Sequence, residues 1–354
     1  MKVNIIETVL RDANESSLNN HMYTEDMLPI LSEMDEAGFY AINCWGGQVF
    51  EAAFASGDDP WKRLLALKKG LKKTPLLMEM QGARIFADAL YPDAMVESFV
   101  EICAECGINI LRIYDRDNNL ANLETTIRSA KENKVCTQVA LLYKQGTGID
   151  AYIELAKSAV NLGTDSIIIC DKEGRMTPYF TGSLFSALSE QISVPLGIQM
   201  LQSHGLAEMC YLKAIENGCS YIDTTCTPLS SMSGNPATEV FAEVLRGMDI
   251  EAGLRMDNVS ELTAYFAALS DEYQANGVFT ADKMGLHLNE VSLKTDVDAK
   301  KMVYESINDE DIHEIRSRIA LIEQSPLDAV TFALYPDTAM EYFHSRIKYV
   351  SKIR

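Results

Sequence analysis

The fold is decided by the stretch Glu7-Thr8-Val9-Leu10-Arg11-Asp12-Ala13-Asn14-Glu15-Ser16, in which an apolar run ends abruptly in an Arg-Asp pair. Residues 3–10 are short and rich in Val and Ile, a pattern typical of a strand that is buried on both faces. If this strand is the first of a barrel, Arg11 and Asp12 emerge at its carboxyl end, where such folds place their chemistry. We therefore expect a functional site that begins at these two residues.

The same arrangement of helix end, glycine and apolar strand recurs along the chain. Four glycines mark it, namely Gly38, Gly107, Gly163 and Gly218. Glycine suits the left-handed position that closes a helix, and an apolar strand follows each of these glycines within a few residues. Three more strands fill the gaps, at residues 75–80, 135–142 and 194–200. The count reaches about eight strand–helix units by Thr227, the number that closes a TIM barrel.

The sequence therefore predicts an α/β protein built on a TIM (β/α)8 barrel over residues 1–253. An open doubly wound sheet is the alternative, but the Gly-x-Gly-x-x-Gly turn of that fold is absent after the first strand. After Gly253 the strand pattern stops, so residues 254–354 are predicted to form a helical C-terminal segment packed on the barrel. No linker rich in Pro, Gly or Ser separates the two parts, and we do not expect a freely hinged second domain.

Composition and charge exclude several classes of partner. The chain has 354 residues, of which 47% are hydrophobic, and a formal net charge of -20. Such an acidic surface repels polyanions, which argues against nucleic acid as a partner. No apolar run approaches the roughly 20 residues that span a bilayer, and the start of the chain has no apolar signal-peptide region. We therefore expect a cytoplasmic protein that does not bind membranes.

The 8 cysteines are scattered through apolar contexts and lack the dense spacing of a disulfide framework. The pair Cys103-x-x-Cys106 has a spacing that can indicate metal or redox chemistry. It lies in a predicted helix with no second cysteine pair nearby, so we interpret both as buried helix thiols.

Charged and hydrogen-bonding residues follow most of the predicted strands, where a barrel has its mouth. The candidates are Arg11, Asp12, Glu15, Trp45, Gln81, Arg84, Cys170, Lys172, Gln199 and His204. Barrel ends also carry residues that only cap helices, so each of these side chains has a structural interpretation beside the functional one. Arg11 and Asp12 stand out because a buried charge is costly unless it is paired or used.

Several longer motifs occur in one order along the chain. They are Glu7-Thr-Val-Leu-Arg-Asp-Ala, Thr24-Glu-Asp-Met-Leu-Pro-Ile, Trp45-Gly-Gly-x-x-Phe-Glu, Asp59-Pro-Trp-x-Arg63-Leu, Asn122-Leu-Glu-Thr, Leu212-Lys-Ala-Ile-Glu and Pro236-x-Thr-Glu239. In these motifs the chain resembles the carboxyltransferase family, which includes the oxaloacetate decarboxylase α subunit, the transcarboxylase 5S subunit and the carboxyltransferase domain of pyruvate carboxylase. The resemblance covers the barrel and, more weakly, the C-terminal segment.

The resemblance implies a TIM barrel followed by a helical funnel, usually dimeric, that moves a carboxyl group between carboxybiotin and a 2-oxo acid such as pyruvate. In such enzymes an Asp, a carbamylated Lys and a His-x-His pair hold a divalent metal that polarises the oxo acid. An Arg and a Gln hold the substrate, and a Thr passes the proton to and from biotin.

Most of these positions are changed in this chain. Asp12 matches the first metal ligand and Arg11 its neighbour. The carbamylated Lys falls on Cys170, which cannot form a carbamate. The His-x-His pair falls on Gln199, which is a weak metal ligand, and on Leu201, which cannot bind a metal. The resemblance therefore leaves Asp12 as the surviving ligand position and implies that the family's metal is lost.

The substrate and proton-transfer positions change as well. The substrate Gln falls on Glu15, whose charge opposes a carboxylate substrate unless it is compensated. The substrate Arg falls on Gln81, with Arg84 nearby, and His204 is shifted along the loop after its strand. The Thr falls on Ser233, which keeps a hydroxyl group.

One hypothesis is a diverged carboxyltransferase or decarboxylase that binds or acts on a small 2-oxo acid or related carboxylate without the metal. Four cations are candidates to replace the metal's charge: Arg11, Arg84, Arg112 and Lys172. Asp12 or Glu15 would then serve as the base and Ser233 as the proton relay, with Cys170 as a thiol nucleophile or an inert apolar plug.

Two alternatives remain. The first is a pseudoenzyme that serves as a structural or regulatory partner of a carboxyltransferase, since several catalytic positions are replaced at once. The second keeps a metal with new ligands drawn from Asp12, Cys170, Gln199, His204 and Cys226. The chain has no Ala-Met-Lys-Met biotinylation segment, so we expect any biotin to arrive on a separate carrier protein. A homodimer is the expectation that follows from the resemblance.

Overall fold

The computed structural model describes residues 2–18, 20–47, 49–50, 58–85, 90–230 and 234–276. Eight parallel strands form a closed barrel in sequence order, so the predicted TIM barrel is confirmed. The strands are β1 Asn4–Glu7, β2 Ala41–Gly46, β3 Leu76–Met80, β4 Ile108–Tyr114, β5 Cys136–Leu142, β6 Ser166–Asp171, β7 Leu196–Met200 and β8 Cys219–Thr224. The last strand closes onto the first, with Glu7 beside Thr224.

Helices follow the strands and cover the outside of the barrel. They are α1 Asn14–Ser16, α2 Thr24–Met27, α3 Leu31–Glu36, α4 Pro60–Gly70, α5 Asp93–Glu105, α6 Glu124–Glu132, α7 Ile149–Leu162, α8 Pro178–Gln191, α9 Ala207–Glu216, α10 Thr238–Gly247 and α11 Met256–Ala275. Cys103 and Cys106 are buried at the end of α5, as predicted, and all eight cysteines are free thiols. Within the described residues, no helix is both long and apolar enough to cross a membrane.

The first strand is shorter than the sequence predicts. We expected residues 3–10 to be extended, but β1 ends at Glu7 and Val9–Ala13 forms a π-helical turn. The Glu7 carboxylate accepts hydrogen bonds from the amides of Thr8 and Val9, both at 3.0 Å, so the backbone bends back on its own side chain. Arg11 and Asp12 therefore lie on a helical turn above the strand rather than at the strand end.

The barrel interior is layered, because side chains two residues apart on a strand point to the same face. The lower layer is apolar and contains Ile6, Ala41, Leu77 and Ile110. Two residues further along the strands, the middle layer is polar and contains Asn43, Glu79, Arg112, Gln138 and Asp223. The mouth of the barrel therefore rests on a buried charged layer rather than on an apolar plug.

Helix α11 packs on the first part of the chain. It buries Val259, Leu262 and Phe266, and the Tyr265 hydroxyl donates a 2.7 Å hydrogen bond to the Asp26 carbonyl. Of the predicted helical segment 254–354, only residues 254–276 are described, so the division of the chain at residue 253 stays a prediction.

Candidate functional site

A cavity of about 290 Å³ opens at the carboxyl end of the barrel. Its walls come from the π-helical turn and α1, from the end of β6 and its loop, and from the end of β7. The lining residues are Arg11, Asp12, Glu15, Ser16, Cys170, Asp171, Lys172, Gln199 and Leu201. Six of the candidates selected from sequence thus come together in the structure: Arg11, Asp12, Glu15, Cys170, Lys172 and Gln199.

A buried carboxylate, Glu79 on β3, lies beneath two of the cations in the cavity wall. Its Oε2 atom is 3.2 Å from Arg11 Nη1 and 3.6 Å from Lys172 Nζ. Its Oε1 atom accepts a 2.8 Å hydrogen bond from Asn43 and lies 3.3 Å from Arg112 Nη1. Burial alone would raise the pKa of Glu79, but the three cations outweigh it and lower that pKa to about 2. Glu79 is therefore a permanent negative charge.

Arg112 on β4 crosses the barrel interior and is fully buried. It forms a bidentate pair with Asp223 on β8, with one bond of 2.8 Å from Nη2 to Oδ1. It also donates to Gln138 from Nε and Nη2, each at 3.2 Å. Its charge is therefore matched inside the barrel and does not reach the cavity.

The Arg11 guanidinium is shared between three carboxylates. Besides Glu79, Nη2 pairs with Glu15 at 3.1 Å, and Nη1 lies 3.9 Å from Asp12 Oδ1. Burial would lower the pKa of Arg11, but these carboxylates raise it. The Glu15 side chain is 32% exposed whereas the Arg11 side chain is 7% exposed, so the Glu15 carboxylate lies on the open side of the pair.

Asp12 has the environment of a group that can exchange a proton. Its Oδ2 atom is buried and has no hydrogen-bond partner among the described residues. Burial raises the pKa of Asp12 to about 7, and the nearby Glu79 and Glu15 act in the same direction, against Arg11 and Lys172. A carboxyl group whose pKa lies near neutrality is suited to general acid–base catalysis.

Lys172 lies on the loop after β6, and Asp171 holds that loop in place. The Asp171 carboxylate accepts hydrogen bonds from the backbone amides of Glu173, Gly174 and Met176 at 3.0, 2.9 and 2.6 Å. Lys172 Nζ also lies 4.7 Å from the centre of the Tyr114 ring. Burial would lower the pKa of Lys172, but Glu79 raises it, so the ammonium form is favoured.

Cys170 and Gln199 are paired on the inner wall. The Cys170 thiol donates a 3.0 Å hydrogen bond to Gln199 Oε1. Burial raises the pKa of the Cys170 thiol to about 12, so the thiolate needed for a nucleophile or a metal ligand is strongly disfavoured. This environment favours the interpretation of Cys170 as an apolar wall residue.

Four other candidates, described in turn below, do not line the cavity. A register shift follows Asn43 in β2 and turns Trp45 away from the barrel interior. The Trp45 ring packs instead against Trp61 of α4, with the two ring centres 6.0 Å apart. Gln81 and Arg84 pair with each other in an isolated bridge beyond β3. His204 is exposed, with Nδ1 3.2 Å from the Glu173 carbonyl oxygen. Ser233 lies outside the described residues.

The residues that line this cavity are not suited to bind the divalent metal of the carboxyltransferase family that the chain resembles. In the described part of the chain, no three His, Cys, Asp or Glu side chains stand close enough together to hold an ion. Leu201 lines the wall where a ligand is required, and the Lys172 ammonium and the Arg11 guanidinium oppose a further positive charge there. Of the alternative ligand set, Cys226 bonds to Glu7 instead, with its thiol 3.0 Å from Oε2.

Four residues of the middle layer were not predicted from the sequence: Glu79, Asn43, Gln138 and Asp223. A signal was present for Glu79, which is the one polar residue in the apolar strand Leu76-Leu77-Met78-Glu79-Met80. It is weaker for Asp223, whose strand also contains Ser220 and Thr224. Their significance depends on which face of the strand points inward, and only the register of the closed barrel shows that.

Comparisons with known proteins show which family the chain resembles in sequence. A sequence model described as HMGL-like matches residues 2–265. A pyruvate carboxylase subunit of Methanocaldococcus jannaschii is 40% identical over 275 residues, which are 77% of this chain and 48% of that protein. The methylmalonyl-CoA carboxyltransferase 5S subunit of Propionibacterium freudenreichii subsp. shermanii is 27% identical over 77% of this chain and 55% of that protein. The chain thus spans about half the length of these relatives.

A solved structure shows the same architecture. The carboxyl transferase domain from Rhizobium etli pyruvate carboxylase, determined with pyruvate, has a TM-score of 0.75 and 26% identity, covering 77% of this chain and 48% of that one. The chain is therefore homologous to the carboxyltransferase domain of pyruvate carboxylase. Because the HMGL-like match extends over well more than half of its residues, the chain belongs to the HMGL-like family.

Proposed function

We propose that this chain is a carboxyltransferase-type or decarboxylase-type enzyme that acts on a small 2-oxo acid or a related carboxylate without the divalent metal of its relatives. The observation that carries the proposal is the open cavity in which Asp12, with its unpartnered carboxylate oxygen, stands beside two cations. A volume of about 290 Å³ suits a small acid. The R. etli structure determined with pyruvate supports a small 2-oxo acid as the ligand class.

The chemistry of carboxyl removal indicates how these groups work. When the carbon–carboxyl bond of a 3-carboxylated 2-oxo acid breaks, carbon dioxide leaves and the electron pair moves onto the oxo oxygen as an enolate. Cations at the cavity wall stabilise that negative charge. The protonated Asp12 carboxyl then gives its proton to the enolate carbon, and in the reverse direction the Asp12 carboxylate removes it.

Carboxyl transfer would require biotin on a separate carrier protein, which we propose as a partner. The M. jannaschii and P. freudenreichii relatives are both named as subunits and are thus parts of larger assemblies by name, which supports this arrangement. We also propose a homodimer and a cytoplasmic location, and light scattering of the purified chain tests the first of these. A non-catalytic partner protein is the alternative function, and the open cavity argues against a site that has been filled in.

The test is turnover of a panel of 2-oxo acids, beginning with oxaloacetate, by the purified chain with and without a biotin-carrier protein. We expect turnover that persists in EDTA and that falls by about 100-fold in Asp12→Ala, the scale of a lost general acid–base group. Asp117→Ala is the matched control, because that exposed carboxylate pairs with Lys144 outside the cavity. Absence of both binding and turnover, or equal behaviour of Asp12→Ala and wild type, would favour the non-catalytic alternative.

A further inference from the structure

We propose that the ammonium group of Lys172, anchored by the buried carboxylate of Glu79, is the positive charge that contacts the oxo oxygen of the substrate. In this role Lys172 is a catalytic residue and Glu79 a positioning residue. The inference rests on the proposed function and specifies which groups of this chain would stabilise the negative charge that develops on the oxo oxygen.

The described cations around the barrel mouth differ in what they can offer a ligand. Arg112 is fully buried and bonded to Asp223, Gln138 and Glu79. Arg84 lies in the bridge beyond β3 and does not line the cavity. Neither side chain therefore contacts a molecule bound in the cavity.

Arg11 lines the cavity, but both of its terminal nitrogens are engaged. Nη1 lies 3.2 Å from Glu79 and 3.9 Å from Asp12, and Nη2 lies 3.1 Å from Glu15. The third nitrogen, Nε, is buried and has no hydrogen-bond partner among the described residues, so a ligand in the cavity contacts the terminal nitrogens, where Glu15 is the more exposed partner. Arg11 is thus suited to hold the distal carboxylate of a substrate after Glu15 moves aside, rather than to meet the oxo oxygen.

Lys172 is the cation that is both fixed and available. An ammonium group has three N–H donors, and in the described residues its single ion-pair partner is Glu79, at 3.6 Å. The side chain is 40% exposed and its Nζ atom lies against the Tyr114 ring at 4.7 Å. N–H donors therefore remain for a ligand oxygen in a cavity that Lys172 itself lines.

Glu79 determines where this ammonium lies. Arg11 and Lys172 repel each other, and a single carboxylate oxygen 3.2 Å from one and 3.6 Å from the other holds both in the wall. The second oxygen of Glu79 is fixed by Asn43 and Arg112 in the middle layer. The position of Lys172 is therefore set by the barrel itself, and Asp171 independently fixes the loop backbone.

The assigned step is balanced without any metal or redox partner. As the carbon–carboxyl bond breaks, carbon dioxide leaves and the bonding pair becomes the enolate, whose oxygen accepts a hydrogen bond from the Lys172 ammonium. The enolate carbon then takes the proton of Asp12. Lys172 keeps its own proton throughout, so it acts by charge and hydrogen bonding rather than as a nucleophile.

The test measures oxaloacetate decarboxylation in EDTA by wild type, Lys172→Met, Lys172→Arg and Lys157→Met. Lys157 is the matched control because it is an exposed lysine paired with Glu154 on α7. We expect Lys172→Met to lower kcat by at least about 100-fold, the scale of a lost electrostatic donor, whereas Lys172→Arg keeps part of the activity and Lys157→Met all of it. A change of less than twofold in Lys172→Met would overturn the assignment.

The role of Glu79 is tested by a double-mutant cycle. Glu79→Gln should lower kcat in the wild-type background and have little further effect in Lys172→Met, because it acts through Lys172. Equal losses in both backgrounds would indicate a structural role only, and Glu79→Asp provides a second variant if Glu79→Gln does not fold.

Two further results would overturn the proposal. One is activity that EDTA abolishes and a divalent cation restores. The other is covalent attachment of pyruvate to Lys172 after treatment with borohydride, since this would show that an imine forms and that the amine acts as a nucleophile.

If wild type turns over no oxo acid, the proposed function fails, and oxalate binding still tests the site. We expect Lys172→Met to weaken oxalate binding at least tenfold, and unchanged binding would refute the inference.

Discussion

Substitution of Glu15 by Gln should strengthen the binding of small carboxylates, although it removes an ion pair from the protein. Glu15 lies 3.1 Å from Arg11 Nη2 and is 32% exposed, so its carboxylate occupies the place that a ligand carboxylate needs. Two like charges about 5 Å apart repel by about 1 kcal/mol in water and about 3 kcal/mol near a protein surface. Because Glu15 is partly solvated, we expect a gain of about 1–2 kcal/mol, or roughly 5- to 30-fold in Kd.

Titration calorimetry with oxalate and pyruvate measures this effect. Glu173→Gln is the control, because Glu173 is an exposed carboxylate near the mouth that pairs with Arg175 and does not line the cavity. The gain in Glu15→Gln should shrink with added salt, since screening reduces the repulsion between partly exposed charges. Equal or weaker binding by Glu15→Gln at low salt would refute the view that Glu15 competes with the ligand for Arg11.

Three further predictions concern stability. Arg112→Met should lower the free energy of unfolding by about 3–5 kcal/mol, because it leaves buried carboxylates without their cation. Replacing Asp223 by Leu in the same protein should recover much of that loss. Urea titrations in which the losses of the two substitutions simply add would contradict this. Burial raises the pKa of Glu7 from 4.5 to about 7 in the folded protein. As the pH rises through this interval, the carboxyl group ionises in the unfolded chain and stays protonated in the folded one, so wild type loses roughly 3 kcal/mol of unfolding free energy that Glu7→Gln keeps. Parallel profiles of unfolding free energy against pH for the two proteins would show otherwise. Gly38→Ala should lower the free energy of unfolding by at least about 1–2 kcal/mol, because φ is +89° and an added Cβ would lie 2.2 Å from the Gly253 carbonyl oxygen. A lowered melting temperature would reveal this loss, and an unchanged one would contradict it.

The barrel itself is predictable from sequence for a local reason. Four of the strands carry a local signal, an apolar run after a glycine such as Gly163, whose φ of +90° is the left-handed conformation expected there. The apolar runs between them supply the other strands. Eight strand–helix units leave little choice of architecture. The π-helical turn at Val9–Ala13 has no comparable signal, because it depends on the Glu7 carboxylate turning back to the backbone amides that follow it.

The site is predictable only in part. Arg11, Asp12 and Cys170 follow from strand ends and from the resemblance, which needs no knowledge of which way a side chain points. Trp45 leaves the site because of a register shift inside β2. Glu79 enters it because it lies on the inward face of β3, and its partners come from strands far apart in sequence. Long-range register of this kind is not encoded in any short window of sequence.

Helix α11 also has a consequence for local unfolding. Its Tyr265 hydroxyl bonds to the Asp26 carbonyl, and its Tyr273 hydroxyl lies 3.2 Å from the His21 carbonyl. The His21 contact holds the connection between α1, which carries Glu15, and α2, and the Asp26 contact holds α2 itself. Breaking them opens this connection without breaking any ladder of the barrel. In hydrogen-exchange terms, amides around His21 should open together with α11 at a lower free energy than amides of the strands. The wall of the cavity that Glu15 occupies is thus tied to the last described helix, and the wall that Lys172 occupies is tied to the barrel.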